Sequence, residues 1–354
     1  MKKKLLIVNQ EQFGYQIDYF QYCKYLKYEF DITYLCWDYG WERQNEEFIE
    51  IIYVSRIGNI FRRNVRFIIA ILRKIRKKSF YFTFIQYFRG CSIIPLIYNR
   101  KHVIHLDIRT GSVSLSSKIN FINNLILRFE SSFFKSLSII SGGLQRFLKI
   151  TPKAYILPLG ANALFIDRQL DHKLSLLYVG TISNRRIEDT IVGLSLFLRK
   201  HPDADIHYTI IGRGWGNDME QLMDKISKFG MKKNVDLEGY VQHNALRPYF
   251  EKANVGVTYI PITPYFEYQP ATKTFEYLMA GMPVIATGTF ENKQIVNKQN
   301  GVIIADDPLS FANSIELLYD RIGDFDDSLI RESVIEYKWE TIVSKLKDFI
   351  YSQT

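Results

Sequence analysis

Apolar positions along the chain fall into two alternating rhythms. Short apolar runs at residues 5–8, 32–36, 80–86, 103–108 and 137–140 read as buried strands, and residues 48–54 alternate like an edge strand. Between them, residues 15–28, 60–78 and 123–135 have helical spacing, and a further helix begins at Leu144. The rhythm then repeats. Strands are predicted at 174–180, 206–211, 254–260, 284–286 and 302–304, a short one opens the stretch 235–241 ahead of Gly239-Tyr240-Val241, and helices are predicted at 187–200, 218–229, 245–251, 309–319 and 333–351. Strands that alternate with helices predict an α/β protein with parallel sheets. At 354 residues, two domains are expected rather than one core, with a boundary in the polar stretch 160–172.

Charge changes this picture. The net charge is +9, but residues 1–160 carry 25 Lys and Arg against 11 Asp and Glu (+14), and the remainder 21 against 26 (−5). One domain is thus expected to meet an anionic surface. Helix 60–78 concentrates the charge. Phe61, Val65, Ile68, Ile69, Leu72 and Ile75 follow helical spacing, and eight cations fill much of the rest. Such a helix suits an anionic leaflet, or equally an internal scaffold helix with solvated charges. No recognition motif supports nucleic acid as a partner. Cys23, Cys36 and Cys91 are widely spaced and form no CxxC pair, so they read as buried thiols of a reducing compartment. No apolar run has the length of a spanning helix or a signal sequence. A cytoplasmic protein is expected, with residues 60–78 as the candidate peripheral contact to the inner membrane face.

Candidate chemistry centres on residues 268–286, which read as loop, short helix, tight turn and buried strand. Thr272 and Thr274 can cap a helix start, where bare N–H groups suit an anion. Lys273 can meet phosphates. Glu276, with two acceptor oxygens, can take both hydroxyls of a ribose. A solvated helix with ordinary Lys and Glu is the competing reading. His105, Asp107 and Arg109 alternate along a predicted strand towards its carboxyl end, where doubly wound sheets bind ligands. A hydrogen-bonded core histidine and a loop-capping aspartate compete there.

The stretch Lys273-Thr-Phe-Glu276-Tyr-Leu-Met-Ala-Gly281-Met-Pro283-Val-Ile-Ala resembles the nucleotide-sugar motif of GT-B-fold glycosyltransferases, most closely the retaining family 4. That resemblance implies two facing Rossmann-like domains with an interdomain cleft. It divides the chain into an acceptor-side domain at 1–165, a nucleotide-sugar domain at 166–330, and a helix at 331–354 returning to the first. It implies sugar transfer, of hexosyltransferase type, from a nucleotide diphospho-sugar to an acceptor hydroxyl in surface polysaccharide or glycolipid synthesis. UDP- or GDP-sugars are the expected donors, a glycan or lipid-linked molecule the acceptor, and neither cofactor nor metal is expected. Gly14, Arg186, Gly212, Tyr240, Val241, Thr272, Lys273, Thr274 and Glu276 are the implied donor contacts, and Asp107 and His105 the implied acceptor-side catalytic residues. The chain departs from the family pattern at Tyr268, where a first Glu is common (Glu267 is one residue off). It departs again at Leu106, in the place of a His, and at Thr181, in the place of a phosphate-gripping Arg that Arg185 can replace. Two other readings stay open: a non-catalytic GT-B subunit partnering a transferase, and a GT-B sugar-nucleotide epimerase.

Overall fold

A computed structural model describes residues 2–98, 102–114, 116–151, 154–164 and 166–353. The chain divides into two compact units, Met1–Gly160 with Trp339–Thr354, and Ala161–Lys338. Phe165, inside the linker expected at 160–172, lies outside the described residues.

The first unit holds seven parallel strands: β1 (Lys3–Val8), β2 (Phe30–Asp38), β3 (Ile49–Ser55), β4 (Phe82–Gln86), β5 (Val103–Ile108), β6 (Ser136–Ile139) and β7 (Tyr155–Ile156). Their order is β3-β2-β1-β4-β5-β6-β7, so the direction of winding reverses between β1 and β4. The inner strands are apolar on both faces because helices cover both. At the sheet edge β3 is only half-buried, as its alternation predicts. Helix Ile60–Lys77 is capped by Asn59, whose side chain accepts from the Arg62 N–H at 2.9 Å. It buries Phe67, Ile68, Ile71, Leu72 and Ile75. Phe61, Val65 and Ile69, expected in that same stripe, face outward instead. Two further helices, Ile93–Ile97 and Ser117–Ser131, complete that layer; the first of them went unpredicted. The final helix, Trp339–Ser352, packs against helix Ile17–Leu26, with the Trp339 ring 6.0 Å from that of Tyr22.

The second unit repeats the plan with six parallel strands: β8 (Leu174–Thr181), β9 (Ile206–Arg213), β10 (Val235–Leu237), β11 (Val255–Thr258), β12 (Val284–Thr287) and β13 (Gly301–Ile304). The order β10-β9-β8-β11-β12-β13 reverses between β8 and β11. Its core joins the strands to helices Glu188–Lys200 and Pro308–Arg321 through Ile191, Leu194, Phe197, Phe311 and Ile315. In an open sheet of this kind the ligand crevice lies beyond the carboxyl ends of the strands where winding reverses. For this unit those ends are Thr181 and Thr258.

Candidate active site

Three loops meet beyond those strand ends. The loop after β8 bears Arg185 and Arg186. The loop after β11 runs to helix Thr272–Met279. The segment after β13 brings Asp306. Arg185 lays its guanidinium 4.0 Å from the Phe266 ring centre, joining the first two loops. Asp306 accepts from the Ile262 N–H at 3.0 Å and lies 3.5 Å from Arg186, joining the third.

Helix Thr272–Met279 is locked in place by its inward side chains. The Tyr277 hydroxyl accepts from the Val179 N–H of β8 at 2.8 Å. Thr274 is fully buried and reaches Thr258 at 3.3 Å and Asn292 at 3.2 Å. This corrects the expected cap. Ala271 occupies the N-cap with no side-chain hydrogen bond, and Thr274 positions the helix from behind. Thr272 is the first residue of the helix and half-exposed. Lys273 and Glu276 lie one turn apart and are paired with each other, with side chains 23% and 12% exposed. Beyond each other, the two charged groups have no further ion pair among the described residues.

The two adjacent arginines differ. Arg186 has φ +55, in the left-handed region, as does Asn184 at +58. Two non-glycine residues there within three positions mark a loop held by its surroundings. Its guanidinium meets Asp189 at 2.6 Å as well as Asp306. Arg185 is half-buried, and its Nη1 is buried with no hydrogen-bond partner among the described residues. Burial pulls its pKa down from the usual arginine value. An orphaned guanidinium nitrogen is the stronger anion donor of the two. Glu267, one residue off the position of the family's first Glu, is a second residue with an orphaned atom. One carboxylate oxygen accepts from the Phe290 N–H at 3.1 Å, and the other is buried without a partner among the described residues. The signal for both was adjacency, since each stands one place from a position that the family pattern marks.

Gly212 is set by backbone contact, since a Cβ there would lie 1.9 Å from the Gly180 carbonyl oxygen of the neighbouring strand. Tyr240 is exposed beneath the Arg213 guanidinium, 4.7 Å from its ring centre, and Val241 is half-buried.

Gly14, in the first unit, closes a turn in which the Tyr15 N–H bonds to the Gln12 carbonyl at 3.1 Å. Its φ of +89 is the reason for glycine. The acceptor-side pair is corrected more strongly. His105 and Asp107 have no exposed surface. The His105 ring is sandwiched by Phe84 and Phe349, and its nitrogens lie 2.8 Å from the hydroxyls of Ser136 and Ser138. Burial drives its pKa down to about 3, so it is a neutral core side chain. Asp107 accepts from Tyr19 at 2.7 Å and from Ser138 at 2.5 Å. Arg109 lies 3.8 Å away and pairs with buried Asp18. Burial raises the Asp107 pKa; Arg109 and the two hydroxyl donors oppose that rise. Neither group reaches a surface where an acceptor can meet it.

Among the described residues no group of three or more His, Cys, Asp or Glu side chains is gathered as metal ligands, and no helix is long and apolar enough to cross a membrane.

Known proteins share this architecture. Residues 173–321 match the family profile described as glycosyl transferases group 1. Over 99% of this chain and 99% of theirs, the fold is similar to sucrose-phosphate synthase from Thermosynechococcus elongatus, at 15% identity and a TM-score of 0.76. The galactosyltransferase WaaB of the lipopolysaccharide outer core, in its apo form, is similar over 99% of this chain and 100% of that one, at 11% identity and a TM-score of 0.75. Anabaena HepE, in complex with UDP and glucose, is similar over 99% and 100% of the two chains, at 10% identity and a TM-score of 0.75. No curated protein matches the chain by sequence. The fold is GT-B, two Rossmann-like domains in one chain. The second unit carries a group 1 glycosyl transferase domain over residues 173–321.

Proposed function

We propose that the chain moves a sugar from a UDP- or GDP-sugar to a hydroxyl of a glycan or lipid-linked acceptor, with retention, in surface polysaccharide or glycolipid synthesis. The observation that carries this reading is the cluster beyond β8 and β11: an orphaned Arg185 nitrogen, Arg186, and the Lys273–Glu276 pair at a helix start. Arg185, Arg186 and Lys273 take the diphosphate, and their charge stabilises it as it leaves, so that no metal is called on. Glu276 exchanges Lys273 for the ribose diol. Glu267 offers its unpartnered oxygen to the donor sugar. Tyr240 and Val241 flank the base. UDP in the similar HepE structure favours a uridine donor, and the lipopolysaccharide acceptor in the name of WaaB favours a surface glycan.

In the reaction the anomeric carbon–oxygen bond to the diphosphate breaks and a bond to the acceptor oxygen forms. The acceptor proton passes to the leaving phosphate oxygen, which yields nucleoside diphosphate. No side-chain base is required, which accords with the burial of His105 and Asp107. The exposed cations Arg62, Arg66, Arg73, Arg76 and Lys77 of helix Ile60–Lys77 hold the enzyme at an anionic leaflet.

Thermal-shift measurement against UDP-, GDP-, ADP- and dTDP-sugars, followed by assay of nucleoside diphosphate release, tests the reading. Stabilisation by one donor with acceptor-dependent release supports it. Donor conversion with no acceptor would indicate an epimerase, and binding of nothing would indicate a non-catalytic subunit.

A further inference from the structure

Helix Ser117–Ser131 leaves most of its apolar residues in solvent and buries Leu127, Glu130 and Ser131. Three of its polar residues are bonded into the first unit, while Lys118 and Arg128 are exposed. Asn120 donates to the Ser114 carbonyl at 2.8 Å and accepts from the Ser112 hydroxyl at 3.0 Å. Asn124 accepts from the Ser112 N–H at 2.7 Å. Glu130, buried, accepts from the Gly90 N–H at 2.7 Å and from the hydroxyls of Tyr87 and Ser92. Leu127 is buried, but most of the helix's other apolar residues point out. Phe121 and Phe129 are each 65% exposed, and Ile119, Ile122 and Leu125 about half. At 100° per residue these five, with Lys118 among them, span a face roughly 160° wide over the length of the helix. A surface helix normally buries such a face, and an apolar patch of this kind on a folded protein marks an interaction surface.

The patch has neighbours of the same character. Right-handed crossovers carry β3 to β4, β4 to β5 and β5 to β6 over one face of the sheet, so their helices share that face. Helix Ile93–Ile97 packs against helix Ile60–Lys77, and Arg89 just before it donates to Asn123 at 3.4 Å. Leu96 and Ile97 of the short helix and Phe61 of the basic one are also exposed. Charge then chooses the occupant. From residue 51 to residue 160 the chain has 19 Lys and Arg but only two acids, Asp107 and Glu130. Both acids are buried and internally bonded. The layer therefore presents apolar side chains among cations, and the one exposed carboxylate at its edge among the described residues, Glu50, is already paired with Lys74 and Lys78. A second copy of this face would bring like charge against like charge. An anionic bilayer accepts both the apolar groups and the cations.

We infer that helix Ser117–Ser131 is a membrane-insertion element. It seats Phe121, Ile122, Leu125 and Phe129 at the headgroup–acyl boundary of an anionic leaflet, beside the cations of helix Ile60–Lys77. The inference extends the leaflet assignment of the basic helix from attraction to insertion, and it stands apart from the sugar-transfer chemistry.

The native cysteines are buried, so a Leu125→Cys variant can be labelled selectively with an environment-sensitive dye. With vesicles of phosphatidylcholine containing 30% phosphatidylglycerol, the expected result is a several-fold rise and blue shift in dye emission. Emission should be unchanged with pure phosphatidylcholine, and unchanged for the same dye at Ser227→Cys on the second unit. Phe121→Ser with Phe129→Ser should weaken vesicle partitioning at least about tenfold. No response at Leu125→Cys to anionic vesicles overturns the inference. So does a shift that tracks protein concentration without lipid, which would assign the face to a second copy. Nucleoside diphosphate release in vesicle-free solution should be the same in wild type and in the double Ser variant. Its absence in both would count against the transferase reading alone.

Discussion

The two units share one topology and use their polar residues in opposite ways. At the strand ends of the second unit, charged groups are half-exposed, paired only with one another, or left with an orphaned atom: Arg185, Glu267, Lys273 and Glu276. In the first unit His105, Asp107 and Arg109, on and just after β5, are all buried and bonded to Tyr19, Asp18, Ser136 and Ser138. A buried, hydrogen-bonded network rigidifies a core, whereas charged groups at an opening stay within reach of solvent. The same residue types are thus sealed in one unit and accessible in the other.

The comparison breaks most visibly at Asp107. Asp107→Asn removes one charge from the buried network around Arg109, at a cost of about 3 kcal/mol. Calorimetry should show the melting temperature falling by roughly 10 °C, with UDP-sugar affinity unchanged. A variant that melts like the wild type yet loses turnover would restore Asp107 to catalysis. In the second unit the balance should reverse. Glu276→Gln should weaken UDP-sugar binding by roughly ten- to a hundredfold, the equivalent of one charged hydrogen bond, while leaving melting nearly unchanged. Titration calorimetry that finds equal affinities removes the ribose assignment.

His105 gives a third contrast, through pH. Its pKa is about 3 in the fold against an ordinary 6.5, so below pH 6.5 the unfolded chain takes up a proton that the folded chain refuses. The stabilising contribution is present above pH 6.5 and is lost progressively as pH falls towards 3. At pH 5 the loss is roughly 2 kcal/mol. His105→Gln should flatten the fall in urea-unfolding free energy between pH 7 and pH 5 by that amount. An unchanged slope would mean that His105 is protonated in the fold. The smallest effect sharpens the phosphate site. Arg185→Ala should raise the Kd for UDP roughly tenfold and Arg186→Ala roughly threefold, because Asp189 and Asp306 already share the second guanidinium. Uridine binding should hardly respond to either. Equal losses for uridine and UDP would make both arginines structural.

By itself the sequence determined the succession of strands and helices, since apolar periodicity is a local property that survives without knowledge of neighbours. It also marked Lys273 and Glu276, because the first turn of a helix places both residues and its unpaired N–H groups within a few positions of each other. The tertiary structure alone decided which polar groups are spent. Asp107 is satisfied by Tyr19 from 88 positions away and by Ser138 from 31, and no local pattern carries that information. It decided between Arg185 and Arg186 for the same reason: Asp306, which occupies one of them, stands 120 positions along the chain. It also left most apolar residues of helix Ser117–Ser131 in solvent. Spacing predicts that a helix has an apolar face, but whether that face meets the sheet depends on which side finds hydrogen-bond partners, and here Ser112, Gly90 and Ser92 drew the polar side inward.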